Sequence, residues 1–152
     1  MSLPNHVETL THRLILPRDA NHYGTLFAGS LLALTLEAGY AAAYRAVGSS
    51  ANLVLKRVLD LRCYEPVPVG HVIEIRGKEV RRARAMVVVA LYGTPLADQA
   101  GPWMDSLMQF VQVDTEGRPD AIDGDLPDDD EPHEPPWCAL QDRARKLIAV
   151  RN

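Results

Sequence analysis

Cysteine is scarce in this chain: Cys63 and Cys138 are the only two, they lie far apart, and no CxxC pair exists. That excludes a disulfide-stapled secreted scaffold and fits a reducing, cytoplasmic setting in which both thiols are inert packing residues. Positive charge is also short, with 16 Lys and Arg against 20 Asp and Glu, a net charge of −4 and a pI near 5.7. Nucleic-acid binding would need a basic patch, so no nucleic-acid partner is expected. No apolar run reaches the roughly 18–20 residues of a membrane span. The longest, Ser30 to Tyr44, is interrupted by Glu37, so no membrane partner is expected either. The five histidines (His6, His12, His22, His71, His133) show no zinc-ligand spacing, and no metal site is expected. The first residues lack the basic and apolar regions of a secretory signal, and no internal repeat is present. What remains is a 152-residue chain, 47% hydrophobic and 24% charged. That is the composition of one globular domain with a short appendage.

Charge is scarcest between Asp19 and Arg45, where Glu37 is the single formal charge in a stretch of small and aliphatic residues. Burying a carboxylate is costly unless it is paired, protonated or used. Glu37 is therefore the first candidate for chemistry, with a raised pKa expected from apolar surroundings.

Glu8 to Leu16 alternates polar and apolar residues and stops at Pro17, which predicts a first strand. A polar loop through Asn21-His22-Tyr23-Gly24 follows. The spacing then predicts a helix from about Ala28–Ser30 to Val47, stopped by Gly48. It is apolar nearly all round, the mark of a buried helix, and small residues (Gly29, Ala33, Ala38, Gly39) suit close packing on a sheet. Leu53 to Tyr64, Val72 to Val80, Ala85 to Tyr92 and Trp103 to Val113 read as four more strands. Between them lie turns at Pro66–Gly70 and Arg81–Ala83 and a loop over Thr94–Pro102. Hairpin-length connections imply antiparallel pairing. The expected class is α+β, a curved antiparallel sheet wrapped around one long central helix. Its outer edge needs a partner, so a homodimer or a dimer-based higher oligomer is expected.

Residues 1–120 thus form the domain. Residues 121–136, with the run Asp123 to Pro132, read as an acidic, proline-rich linker. Residues 137–152 return to helical spacing, with Leu140, Ala144, Leu147 and Ile148 on one face of a C-terminal helix packed on its own or a neighbouring subunit.

Three segments in order resemble the acyl-CoA thioesterases of the hot-dog fold, in the acyl-CoA hydrolase branch. Asn21-His22-Tyr23-Gly24-Thr25-Leu26-Phe27-Ala28-Gly29 resembles the motif N-x-x-G-x-x-F-G-G. Asp60-Leu61-Arg62-Cys63-Tyr64-Glu65-Pro66-Val67-Pro68-Val69-Gly70 resembles D-x-x-F-x-x-P-V-x-V-G. Phe110 to Pro119 looks like the closing strand and turn. The resemblance covers about residues 7–120 and departs at two places. Ala28 stands for a glycine, and the usual catalytic acid position, seven residues past the second glycine, is Leu36, with Glu37 one step later. One helical step is a rotation of about 100°. Either a local irregularity returns Glu37 to the site, or the acid is missing.

The resemblance implies hydrolysis of an acyl-CoA thioester to a carboxylic acid and free coenzyme A, the coenzyme entering only as part of the substrate. Chemistry of this kind needs donors for an oxyanion, and a helix N-terminus supplies them. Gly29 would let the carbonyl approach, or serves close packing alone. Glu37 would activate water or attack directly, or it pairs with a partner-subunit arginine or points to the dimer interface. Asn21 would orient water or the carbonyl, or braces its loop through an Asx-turn. His22 reads as a loop histidine and Ser30 as a helix cap, since no GxSxG elbow is present. Arg81, Arg82 and Arg84 would hold the coenzyme's phosphates, or are solvated. Leu36 favours a second possibility, a non-hydrolytic acyl-CoA-binding protein.

Overall fold

The structure is a computed structural model that describes residues 7–97, 101–124 and 133–149. Strand β1 (Thr9–Leu14) leads through a 3-10 turn (Pro17–Asp19) into helix α1 (Ala28–Val47). Four strands follow, β2 (Leu53–Cys63), β3 (Val72–Arg82), β4 (Met86–Pro95) and β5 (Met104–Gln112), and then helix α2 (Trp137–Ala149). They form one five-stranded sheet in the order β1-β3-β4-β5-β2, with every pairing antiparallel. The expected element order and helix limits hold. Gly48 ends α1 at φ 95°, a left-handed conformation that a side chain would strain.

The connections differ from the expectation at one informative place. β3–β4 and β4–β5 are hairpins, but β2 and β3 are not neighbours. The chain crosses the end of the sheet between Tyr64 and His71, past β5 and β4, roughly three strand spacings or about 14 Å. That crossing passes the start of α1. Val67 O accepts the Leu26 N–H at 2.8 Å, Gly24 O accepts the Val69 N–H at 3.0 Å, and Thr25 bridges Pro68. A loop that reads as a hairpin turn is thus one wall of the helix tip. Arg81 and Arg82 are the last residues of β3 rather than its turn, which is Ala83–Ala85.

Alternation along the strands builds two cores. Ile73, Ile75, Val87, Val89, Leu91, Met104, Met108 and Phe110 face α1 and meet its Leu31, Leu34, Ala38, Ala42 and Ala43. The fit is tight: a Cβ on Gly77 would come within 3.0 Å of both Ala42 Cβ and Leu91 Cδ2. Val80, Val88, Ala90 and Leu107 point the other way and are covered by Trp137, Leu140, Ala144 and Ile148 of α2. The C-terminal helix therefore packs on its own sheet. It is held there by Arg143, which donates to Asp105 Oδ1 at 2.7 Å, and by Trp137, whose Nε1 donates to Glu8 at 2.7 Å. Most of the acidic stretch, residues 125–132, lies outside the described residues.

Helix α1 is not buried all round. Leu32, Ala33, Glu37, Tyr40, Ala41, Tyr44 and Arg45 are exposed, the two tyrosines 41% and 47%. Edge strand β2 also exposes Val54, Leu55 and Val58. Its pairing with β5 slips between Leu55 and Arg57 and between Val58 and Asp60, bulges that bend an edge strand. β1 turns its Leu10, His12 and Leu14 face outward. No described helix is long and apolar enough to cross a membrane.

Candidate active site

Helix α1 begins without a side-chain cap. Phe27 occupies the N-cap position and the first intrahelical bond runs from Leu31 N–H to Phe27 O at 2.8 Å. Ser30 is inside the first turn and does not cap it. The N–H groups of Ala28, Gly29 and Ser30 precede Leu31, the first helical donor, and the dipole's positive end adds to their pull on negative charge. Gly29 is exposed, and a Cβ there would come within 2.5 Å of the tip of the half-exposed Phe27 ring.

Asn21 lies beside this tip. Its Oδ1 accepts from Tyr23 N–H (2.9 Å), Thr25 N–H (3.2 Å) and Thr25 Oγ1–H (3.1 Å), an Asx-turn that braces the loop. Its Nδ2 has no hydrogen-bond partner among the described residues, so a donor is left over. The bracing reading of Asn21 is what its oxygen shows. His22 is exposed and leans on Tyr23, with ring centroids 4.0 Å apart.

Helix α1 is regular throughout, so no irregularity rotates Glu37 into the place of Leu36. Leu36 is half-buried against the core on the sheet side. Glu37 is exposed and has no ion-pair or hydrogen-bond partner among the described residues. The apolar burial expected for it is not present in the single chain. Eight residues separate Glu37 from Gly29, about 12 Å along the helix.

The arginines are further still. Arg82 Nη2 donates to Ala46 O at 2.8 Å and its Nε to Glu79 Oε2 at 2.8 Å. Its Nε and Nη2 are thereby engaged, closing the C-terminal end of α1, and a phosphate gripped by that edge would have to displace Glu79. Arg81 is half-buried and Arg84 exposed at the adjoining turn. This end of α1 is about 26 Å from Gly29. Helix tip, carboxylate and cations are therefore strung along one helix, too far apart to meet within a single chain.

A further carboxylate, unread in the sequence, sits next to the tip. Asp19 is only 7% exposed, and its backbone carbonyl accepts the Phe27 N–H at 2.8 Å. The sequence shows only an acid two residues past Pro17, which does not by itself announce burial. The roomier clefts lie elsewhere. One of about 430 Å³ (Glu74, Arg76, Tyr92, Thr94, Pro135) opens on the face away from α1, and one of about 550 Å³ flanks His71 and Leu96. Size does not decide between them and the tip, because a surface completed by a second copy does not register as a cavity in one chain.

The sequence matches no protein-family model and no curated protein. Solved structures do match. A Staphylococcus aureus acyl-CoA hydrolase, determined with butyryl coenzyme A and coenzyme A, is similar over 95% of this chain and 83% of its own, with 23% identity and a TM-score of 0.75. A hexameric acyl-CoA thioesterase without ligand covers 95% of this chain and 90% of its own, with 25% identity and a TM-score of 0.73. A hexameric thioesterase from Yersinia pestis covers 81% of this chain and 100% of its own, with 22% identity and a TM-score of 0.68. The architecture is the hot-dog fold, shared with these acyl-CoA hydrolases and thioesterases.

Proposed function

We propose that this hot-dog chain hydrolyses an acyl-CoA thioester, in the cytoplasm, at a site that two copies build together. One observation carries the reading: an uncapped helix start with free amides, entered from the loop that bears the unused Nδ2 of Asn21, in the fold shared with acyl-CoA hydrolases. The thioester carbonyl oxygen would accept from the amides near Gly29 and from Asn21, where negative charge develops as water attacks. A carboxylate then takes the water's proton. The C–S bond breaks, coenzyme A leaves as thiolate and recovers a proton, and the carboxylic acid departs.

The carboxylate in this scheme is Glu37, supplied in trans. At about 12 Å from its own tip it cannot act there. A two-fold dimer places the same patch of each subunit against the other, so the partner subunit's Glu37 can stand where the chain's own cannot. The uncovered strip of α1 and the apolar β2 edge are the surface for that partner. Arg81 and Arg84 reach the coenzyme's phosphates in the same way, across the interface. The test is thiol release from a panel of acyl-CoA esters by wild type and by Glu37→Gln. Turnover in the wild type and loss of about a hundredfold or more in the variant, with an unchanged fold, support the reading; full activity in Glu37→Gln removes Glu37 from it.

A second reading is kept by Leu36, which fills the usual acid position with an aliphatic side chain packed on the core. A non-hydrolytic acyl-CoA-binding protein would bind a non-hydrolysable thioester analogue tightly in calorimetry and release no thiol from the true thioester.

A further inference from the structure

We propose that Asp19 is a positioning residue for the helix tip, its buried carboxylate fixing the turn that aims the first amides of α1. Leu16 N–H donates to Asp19 Oδ2 at 3.0 Å, while Asp19 N–H donates to Leu16 O at 2.9 Å. This reciprocal pair closes the 3-10 turn Pro17–Asp19. The turn is anchored upstream, because Ile15 is fully buried and exchanges backbone hydrogen bonds with Gly70 and His71. It is also anchored downstream, because Asp19 O holds the Phe27 N–H, the last amide before the free ones. Between those two anchors Ala20 bridges Leu26, and Asn21 N–H donates to Thr25 O at 2.8 Å. The loop bearing Asn21 is thus a closed ring pinned at Asp19.

The carboxylate itself is spoken for. Oδ2 takes the Leu16 amide, and Oδ1 faces Arg13 Nη2 at 3.8 Å. A carboxylate so engaged is a brace and not a base. Its charge near the start of α1 is also favourable to the helix dipole. Holding a buried side chain of this kind beside a reacting centre matters because a displacement of about 1 Å in a donor can cost about a hundredfold in rate.

The kinetic arm of the test rests on the thioesterase reading; the exchange arm does not. Asp19→Asn keeps an oxygen for the Leu16 amide, and Asp19→Ala removes it. In Asp19→Ala, kcat is expected to fall about ten- to a hundredfold with KM nearly unchanged, and Asp19→Asn to return within about threefold of wild type. Hydrogen exchange at the amides of Phe27 to Leu31 is expected to quicken at least about tenfold in Asp19→Ala, with β4 protected as before. Equal loss of kcat in both variants, with a lost acid limb in the pH profile, would make Asp19 a base and overturn the proposal. Unchanged exchange at Phe27 to Leu31 in Asp19→Ala would also overturn it. A wild type inactive on every acyl-CoA sinks the thioesterase reading alone, and the exchange result then decides about Asp19.

Discussion

At Gly29 the cost of a side chain and its chemical effect come apart. The atom that a new Cβ would strike is the far end of the exposed Phe27 ring, which can swing away. Gly29→Ala is therefore expected to fold with stability within about 1 kcal/mol of wild type, since alanine also favours a helix. If the tip receives a thioester carbonyl, the same change lowers kcat/KM by about tenfold or more; equal kcat/KM in the variant would clear Gly29 of contact with the substrate. The lone acid was legible as a residue but not as an environment. Sequence showed one charge among apolar neighbours and suggested burial. The structure leaves Glu37 on the exposed side of α1, because a helix of alanines and glycines needs only one stripe for its sheet. Asp19 went unread for the opposite reason: its burial comes from a turn whose backbone pairing no local pattern announces.

Each sheet face has its own helix, and the two are secured by different means. α1 is held by shape against the sheet, α2 partly by charge. Asp105 is 6% exposed and takes donors from Arg143 and from Tyr64 OH at 2.7 Å. The Asp105 hydrogen bond, against a smaller opposing effect of burial, holds the Arg143 guanidinium above its ordinary pKa. Arg143→Met would leave that aspartate poorly paired and is expected to cost about 3 kcal/mol in urea unfolding. At the other end of α2, burial pushes the Glu8 carboxyl up. The hydrogen bonds from Trp137 and Arg76, with the charges of Arg76 and Lys78, outweigh it and leave Glu8 below its ordinary value. A carboxyl depressed in the folded state stabilises it above the unfolded pKa, and that stability is lost as pH falls through the folded value. Acid is therefore expected to loosen α2 below the ordinary glutamate range. Glu8→Gln should flatten that part of a pH–stability curve followed by tryptophan fluorescence in a Trp103→Phe background; an unaltered curve would remove Glu8 from the latch. The helical face of α2 was readable from Leu140, Ala144 and Ile148, whereas the sheet it docks on was not, since spacing carries no address.

For the whole molecule, one uncovered surface joins α1 and β2. A single chain leaves Tyr40 and Tyr44 of α1 in water together with Leu55 and Val58 of β2, whose cross-strand partners Phe110 and Met108 lie on the α1 face, an apolar patch of the kind a second copy covers. Val58→Lys is expected to shift the sedimentation profile toward monomer and to lower activity with it. A variant that stays associated would move the interface elsewhere. Strand number and order along the chain were legible, but the crossing from Tyr64 to His71 was not: its Pro-Gly signature is that of any tight turn, and only long-range pairing shows where it goes. That crossing also imposes a schedule. Leu53 in β2 pairs with Gln112 in β5, so a nascent β2 emerges well before its mate has been translated. At ordinary elongation rates the wait is on the order of several seconds, with a bare aliphatic ribbon exposed at the ribosome and open to chaperones.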